Sequence, residues 1–234
     1  MEDYTELIKA VKTFDWGESG ASLLLIDAEI RKIAGHAEHA GKLEAALLEI
    51  LRSDASLAAK RGVCKRLGLI AGEQSIPVLA AMLDHADTSD MARYSLERMP
   101  SAAVDAALRS ALARTSGIMR AGIIHSIGNR RDSQAVPALG ELLQDADETV
   151  ACASACALGR IGSAEAISRL TAHRNSAPGR VRREILDAYL VCARRLALEG
   201  RRAEARAMYR ELNAESMPGP VRRAAKLGIE ATGV

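Results

Sequence analysis

A unit of about 30 residues recurs along this chain and constrains its fold more than any other feature. The clearest copy spans residues 135–162 and holds two segments with helical apolar periodicity, separated by Asp145-Ala146-Asp147. The first segments align at steps of 32, 29, 31, 31 and 39 residues, through Leu47, Leu79, Leu108, Leu139, Leu170 and Tyr209. Because so short a unit cannot bury its own apolar face, neighbouring units must stack on one another.

Composition agrees with a helical repeat. The chain of 234 residues is 48% hydrophobic but only 3% aromatic, which favours helices packed closely through small side chains. We predict an all-α protein, a right-handed α-solenoid of about seven antiparallel helix pairs. We expect a single domain, 1–234, in which residues 1–38 are an irregular N-terminal cap pair, 39–176 the regular units, and 177–234 longer, basic units.

Capping residues, glycine and proline mark the predicted helix boundaries. The predicted N-caps of the second helices are Asp54, Asp87 and Asp147. Serines at or near the starts of first helices are Ser75, Ser101, Ser133 and Ser163. Breaks are expected at Gly35, Gly72, Pro100, Gly128, Gly162, Gly200 and residues 218–220. Caps and repeat period agree, which supports this division of the chain.

The net charge of +2 is unevenly distributed. Residues 1–173 hold 19 Lys and Arg against 23 Asp and Glu, whereas residues 174–234 hold 13 against 7. A basic end attracts phosphates or acidic partners, but a solvated helix face gives the same count, so both interpretations stay open.

The four cysteines, Cys64, Cys152, Cys156 and Cys192, fall inside predicted helices. A chain with this apolar content needs no disulfides, so we expect reduced thiols. No apolar run reaches the length of a signal or membrane segment, which predicts a cytoplasmic protein without membrane contact. A periplasmic or exported location is expected instead if the chain is cut from a longer precursor.

Residues 135–162, with Val181-Arg182-Arg183 and Val221-Arg222-Arg223, resemble HEAT repeats of the short bacterial kind first associated with phycobilisome lyases. Residues 60–64, 91–100 and 128–132 are similar to HEAT modules of multidomain bacterial proteins, and residues 193–228 resemble a tetratricopeptide repeat. These resemblances imply binding of proteins or peptides, including a neighbouring domain of a larger protein. They do not select an activity, because the scaffold serves lyases, hydroxylases, glycosylases and adaptors.

Enzyme signatures known on this scaffold are missing from the sequence. There is no His-Glu dipeptide of the kind that supplies iron ligands in deoxyhypusine hydroxylases, and His36, Glu38 and His39 are expected in a turn between helices. Aromatic residues are too few for stacking on nucleic-acid bases. No nucleophile turn accompanies the isolated His125 and His173. We therefore expect no catalytic residue and no cofactor.

The second helices carry a row of outward-facing positions that is rich in Lys and Arg. The residues predicted to bind a partner are Lys60, Arg61, Arg93, Tyr94, Arg120, His125, Cys152, Cys156 and Arg183. They would receive an acidic or extended peptide, with Tyr94 and the patch Ala151-Cys152-Ala155-Cys156 as less polar anchors. The competing interpretation pairs basic residues of this row with capping carboxylates of adjacent units; these residues are Lys60, Arg120, Arg182 and Arg222.

We predict a non-enzymatic protein-binding or peptide-binding scaffold that uses its concave second-helix face and holds no metal. Cys152 and Cys156, with His125 and Asp187, have ligand chemistry acceptable to zinc, but closely packed structural thiols explain the cysteines better. Two alternatives stay open. One is a subunit of a tetrapyrrole lyase similar to the phycobilin lyases, and the other is weak nucleic-acid binding by the basic C-terminal units.

Overall fold

The computed structural model describes residues 4–33 and 37–233, and every regular element within them is a helix. The α-helices are α1 (Thr5–Lys12), α2 (Ala21–Lys32), α3 (Ala37–Arg52), α4 (Leu57–Ile70), α5 (Ser75–Met82), α6 (Ser89–Leu96), α7 (Ala102–Arg114), α8 (Gly117–Arg130), α9 (Val136–Glu141), α10 (Glu148–Ile161), α11 (Ala164–His173), α12 (Gly179–Leu198), α13 (Arg202–Leu212) and α14 (Gly219–Thr232). Two short 3₁₀ turns, Ser133–Ala135 and Leu142–Gln144, flank α9. The predicted all-α fold of paired helices is confirmed.

The chain divides into two compact units, each made of several of the helix-pair repeats. From here on, the first unit is Met1–Thr115 and the second unit is Ser116–Val234. In the first unit, the first helices α1, α3, α5 and α7 pack in one row, and the second helices α2, α4 and α6 pack in another. In the second unit, α8, α10 and α12 form the row of second helices, α9 packs against α11, and α13 packs against both α12 and α14. Among the helices described, none is both long and apolar enough to span a membrane.

The aligned apolar positions form the core of each unit. All the aligned first-helix residues are buried: Leu47, Leu79, Leu108, Leu139, Leu170 and Tyr209. The aligned second-helix residues Leu67, Met99, Ile127, Leu158 and Tyr189 are also buried. Ile229 of α14 is half-buried. The repeat period therefore identifies the residues that face the core.

Several predicted caps are present in the structure. The carboxylate of Asp147 accepts a hydrogen bond of 2.8 Å from the backbone N–H of Thr149 at the start of α10. The hydroxyls of Ser101 and Ser163 accept bonds from the first turns of α7 and α11. Each bond satisfies one of the backbone donors that a helix N-terminus leaves unpaired.

The predicted caps Asp54 and Asp87 are wrong. The N-cap of α4 is Ser56, whose hydroxyl accepts from the backbone N–H of Ala59 at 3.0 Å, and the N-cap of α6 is Thr88. The Ser56 hydroxyl also donates to the backbone carbonyl of Phe14 at 2.6 Å, a contact across 42 residues. This tertiary bond, which local sequence does not reveal, anchors the residue that caps α4.

Part of the predicted turn before α3 is helical instead. Glu38 and His39 lie in the first turn of α3, and the Glu38 carboxylate pairs with Lys42 at 2.8 Å. A carboxylate near a helix N-terminus and an acid–base pair four residues apart both stabilise a helix, so the helix extends through these residues. Gly35 and His36 lie outside the described residues.

A buried carboxylate connects α3 to the next helix pair. Glu44 is 4% exposed, and its side chain accepts hydrogen bonds of 2.8 Å from the backbone N–H of Gly72 and from Nε2 of Gln74. It also accepts a bond from the hydroxyl of Ser75, the first residue of α5. Because these donors lie in the α4–α5 connection and at the first residue of α5, Glu44 fixes the path of the chain between two repeats.

Two glycines allow the second helices α8, α10 and α12 to approach closely. A Cβ atom on Gly128 of α8 would lie 2.8 Å from the Cα of Ala157 in α10. A Cβ atom on Gly159 of α10 would likewise lie 2.8 Å from the Cβ of Ala188 in α12. Both distances are shorter than any normal carbon–carbon contact, so these positions require glycine opposite alanine.

Replacing Gly159 with Ala should therefore destabilise the protein. We expect the free energy of unfolding to fall by about 1–3 kcal/mol, because the new methyl group collides with α12 and forces the two helices apart. Gly41→Ala in α3 is the matched control, since its Cβ would meet no atom within 4 Å. That control should gain about 0.5–1 kcal/mol from the better helix propensity of Ala. Urea denaturation followed by circular dichroism measures both changes, and equal stability of the two variants would contradict the close packing.

Glu44→Ala should lower the free energy of unfolding by about 2–3 kcal/mol, because buried donors lose their acceptor. Glu49→Ala removes an exposed carboxylate from the same helix and should change stability by less than about 0.5 kcal/mol. The same denaturation experiment compares the two variants. A small effect at both positions would mean that the α4–α5 connection does not depend on Glu44.

Candidate functional site

An open cleft lies between the second helices α4 and α6 of the first unit. Its volume is about 340 Å³, within the usual range of ligand sites. The α4–α6 cleft is lined by Arg61, Cys64, Lys65, Asp90, Met91 and Tyr94. Arg61 and Lys65 are one turn apart on α4, as Asp90 and Tyr94 are on α6, so each pair lies on one face of its helix.

Cationic groups dominate the edge of the α4–α6 cleft. Nη1 of Arg61 donates to Oδ2 of Asp90 at 2.8 Å, and Nη2 of Arg61 lies 3.4 Å from Oδ1. Lys65 is exposed and forms no ion pair within the described part of the chain. An exposed ion pair contributes at most about 1 kcal/mol, so Arg61 can exchange Asp90 for a competing carboxylate at small cost.

Tyr94 is the aromatic member of the cleft, and its orientation is fixed by Arg98. The Arg98 guanidinium carbon lies 3.5 Å from the centre of the Tyr94 ring, and Nη1 of Arg98 donates to the Tyr94 carbonyl at 2.6 Å. Stacking of a guanidinium on an aromatic ring is favourable and restricts the rotamers of both side chains. Tyr94 remains 39% exposed. It therefore presents a rigid, accessible aromatic surface beside Arg61 and Lys65.

The thiol that lines this cleft is not a nucleophile at neutral pH. Burial raises the pKa of Cys64 to about 12, although the neighbouring Ser95 hydroxyl opposes this shift. In the second unit, burial also raises the pKa of Cys192 to about 11. Because the thiolate is the reactive form, both cysteines remain protonated and unreactive near pH 7.

The other predicted residues of the first unit lie beside this cleft and do not line it. Lys60, on α4, and Arg93, on α6, are both half-buried. Of the residues predicted in this unit, the structure thus brings Arg61 and Tyr94 together. Lys60 and Arg93 are not part of the lining.

The predicted residues of the second unit do not form one site. Arg120 pairs with Asp145 through Nη1 and Oδ2 at 3.3 Å, and Asp145 lies in the connection that precedes α10. Arg120 thus pairs with a carboxylate of the next repeat, within the same compact unit. This is the competing interpretation that the sequence offered. His125 is half-buried on α8, and Arg183 is exposed on α12.

The expected apolar anchor at Ala151-Cys152-Ala155-Cys156 is wrong as an exposed patch. Ala151, Cys152 and Ala155 are buried, with Cys152 only 6% exposed, and Cys156 is half-buried. The reason is the close packing of α8 and α12 on both sides of α10, which covers a helix face made of small side chains. Burial also raises the pKa of Cys152, and Arg180 opposes that shift.

The cysteines of α10 belong to no cluster with the geometry of a metal site. Within residues 4–33 and 37–233, no group of three or more His, Cys, Asp and Glu side chains could hold a metal ion. All four cysteines are free thiols. Asp187, considered as a further zinc ligand, is exposed on α12.

Sequence reasoning missed three side chains that shape the α4–α6 cleft. Lys65 stands in the aligned outward row, but was not among the predicted binding residues. Arg98 follows Tyr94 by four residues, a spacing that itself predicts contact on a helix. Asp90 follows Arg61 by 29 residues, so the repeat period could have paired them.

The family model of the HEAT repeats matches residues 104–189. This segment begins in α7 and ends in α12, where the second helices pack most closely. This segment of the chain is similar to HEAT repeats. The resemblance to HEAT repeats seen in residues 135–162 is therefore confirmed.

Three solved structures show likeness to the chain. The complex of CpcE and CpcF of phycocyanin lyase from a Nostoc species has 14% identity and a TM-score of 0.48, over 100% of this chain and 96% of that chain. Human deoxyhypusine hydroxylase in complex with glycerol has 15% identity and a TM-score of 0.41, over 96% and 84%. A designed armadillo repeat protein has 18% identity and a TM-score of 0.33, over 99% and 100%.

These likenesses do not identify an activity. All three TM-scores lie below 0.5, and every sequence identity lies below 25%. A search of the curated proteins finds no match. Because one helical scaffold serves unrelated functions, the function must be argued from the surfaces of this chain.

We expect the four thiols to differ in reactivity because they differ in burial. We expect Ellman's reagent at pH 8 to modify Cys156 first, since it is the least buried of the cysteines. Cys64 and Cys192, with pKa values raised to about 12 and 11, should react only after unfolding in guanidinium chloride. Mass spectrometry of the labelled peptides identifies the sites. Rapid labelling of Cys64 in the native protein would show that the α4–α6 cleft opens to its base.

Proposed function

We propose that this protein is a non-enzymatic scaffold that binds an acidic, extended segment of a partner protein at the α4–α6 cleft. The observation that carries the proposal is the exposed Tyr94 ring, held by Arg98 and flanked by Arg61 and Lys65. Rigid aromatic and arginine side chains are the groups most often found at the centres of protein interfaces. Repeat scaffolds of this architecture offer such surfaces to partner proteins.

Charge complementarity selects an acidic partner. Arg61, Lys65 and Arg98 are exposed at or beside the cleft, and Asp90 is the carboxylate that lines it. An incoming carboxylate can pair with Lys65 directly and compete with Asp90 for Arg61. Because these charges are exposed, they contribute to the association rate and to partner choice, and salt will screen them.

The cleft also offers an apolar contact at its centre. Met91 lies at its base with 3% exposure, and the Tyr94 ring forms one wall. An aliphatic side chain between two acidic residues of an extended peptide would cover the ring while the carboxylates reach the cationic edge. This arrangement favours a peptide with alternating acidic and aliphatic residues.

A binding role agrees with the state of the thiols. Cys64 lines the cleft but has a raised pKa, so it supports the structure and does not attack a ligand. We also propose that the protein resides in the cytoplasm, as the sequence predicted. Four free thiols are compatible with that reducing compartment.

Substitutions at the cleft should weaken binding of a fluorescein-labelled peptide of alternating glutamate and leucine. We expect Lys65→Glu to lower the affinity about tenfold at low salt, and the difference should shrink as salt is added. We expect Tyr94→Ala to lower the affinity about tenfold with little dependence on salt, because it removes an apolar contact. Fluorescence anisotropy at a series of salt concentrations measures both effects.

Two controls accompany this experiment. Lys226→Glu reverses an exposed charge on α14, outside the cleft, and should leave the affinity unchanged. A peptide of alternating lysine and leucine should bind more weakly than the acidic one. If both peptides bind equally well, or if Lys65→Glu and Tyr94→Ala bind like the unaltered protein, the α4–α6 cleft is not the binding site.

A further inference from the structure

A second cleft, in the second unit, lies where the C-terminal ends of α8 and α10 meet α12. It has a volume of about 290 Å³, and Gly128 and Gly159 form its floor. Three arginines line it, namely Arg131, Arg160 and Arg195, and its lining contains no carboxylate. We call it the arginine cleft. Its lining charge is positive, and Nε of Arg195 also lies 3.4 Å from a carboxylate oxygen of Glu199, which is outside the lining.

Two of the three guanidinium groups are held in place by the protein. Nη1 of Arg195 donates to the backbone carbonyl of Arg160 at 2.8 Å, and Nη2 donates to the carbonyl of Ile161. Arg195 thus donates hydrogen bonds to the last carbonyls of α10, a common role for arginine at a helix C-terminus. Nη1 of Arg160 donates to Oδ1 of Asn129 at 2.8 Å, which fixes its direction along the cleft.

Arg131 has no comparable structural role. It is the C-terminal cap of α8, and its backbone adopts φ 55°, a value that no other residue except glycine shares in the described part of the chain. Backbone bonds complete the helix end without its side chain: Arg131 N–H bonds to the Gly128 carbonyl, and Asp132 N–H bonds to the Ile127 carbonyl. This is the Schellman arrangement, which favours glycine at the position of Arg131.

The next repeat shows the residue that this position favours. Gly162 is the C-terminal cap of α10, with the same φ of 55°. Within the described residues, the Arg131 guanidinium forms no hydrogen bond and no ion pair. Arg131 thus has a left-handed backbone conformation that glycine adopts at a lower free-energy cost, and, in the part of the chain that the structure describes, its side chain makes no hydrogen bond or ion pair that offsets this cost. Such retained strain at a cleft is typical of a residue that serves a ligand.

We propose that the arginine cleft binds an oxyanion, a carboxylate or a phosphate group, on a side chain of a partner peptide. This inference deepens the scaffold function proposed above and rests on it for the nature of the partner. Guanidinium groups bind oxyanions through paired, charge-assisted hydrogen bonds, and Arg131 and Arg160 both keep donors for such bonds. The volume lies just below the usual range for whole small-molecule ligands, about 300–1,000 Å³.

Inorganic phosphate is the first probe, titrated into the full chain while NMR records the side-chain Nε–Hε signals of arginine. We expect saturable shifts of the Arg131 and Arg160 signals. Arg131→Ala should weaken phosphate binding about tenfold, because it removes a charge-assisted contact. Arg210→Ala, which removes an exposed arginine of α13, should leave binding unchanged. Unsaturable shifts, or equal affinity in the unaltered protein and Arg131→Ala, would overturn the proposal.

Arg131→Gly separates binding from folding. It should lose phosphate affinity as Arg131→Ala does, and yet raise Tm by about 2–4 °C, because glycine removes the left-handed strain. A variant that is more stable but binds more weakly cannot owe its weaker binding to unfolding. If Arg131→Gly keeps the original phosphate affinity, the site assignment is wrong.

Two labelled peptides, identical except for one phosphoserine or one glutamate, then distinguish the sources of the oxyanion. Arg131-dependent binding of either peptide supports the proposal and identifies the group. Arg131-dependent binding of a single-stranded oligonucleotide, with neither peptide bound, would overturn the assignment to a peptide. Since the phosphate titration reads Arg131 directly, its failure is distinguishable from failure of the acidic peptide at the α4–α6 cleft.

Discussion

The close approach of α8, α10 and α12 is the constraint on which the second unit depends. Gly128 faces Ala157, and Gly159 faces Ala188, at distances that exclude any larger side chain. This contact brings the helix ends close enough for Arg195 to reach the last carbonyls of α10. The same approach buries the small side chains of α10 and forms the floor of the arginine cleft. Packing and surface chemistry in this unit thus have one origin.

Most of the fold was predictable, because the core residues of a stacked repeat recur in the sequence at a fixed period. The aligned leucines are buried, and Asp147, Ser101 and Ser163 cap their helices. The predicted caps of α4 and α6 were wrong, and the cap of α4, Ser56, also bonds to the distant Phe14 carbonyl, a contact that local sequence does not show. Local propensity describes each helix well, but tertiary bonds decide between neighbouring candidate caps.

The candidate sites were less accessible to sequence reasoning. Register placed Arg61 and Lys65 on an outward face correctly, because exposure on a helix follows its period. It failed for Cys152, because the depth of burial depends on how closely the next helix packs, and that distance depends on glycine positions. It also failed to predict the role of Arg131. The pattern of apolar residues does not reveal that Arg131, which is not glycine, has a left-handed backbone conformation.

Hydrogen bonds from one helix to the backbone of its neighbour have a consequence for cooperativity. The Ser95 hydroxyl donates to the Cys64 carbonyl in the first unit, as the Cys192 thiol does to the Gly159 carbonyl in the second. In these two cases, a side chain of one second helix donates to a backbone carbonyl of the second helix before it. In a nearest-neighbour description of repeat proteins, such bonds belong to the coupling between repeats and not to any single repeat. A helix pair taken from this array would lose the bonds that its carbonyls accept from the neighbouring helix, so the smallest stable piece is set by shared interfaces.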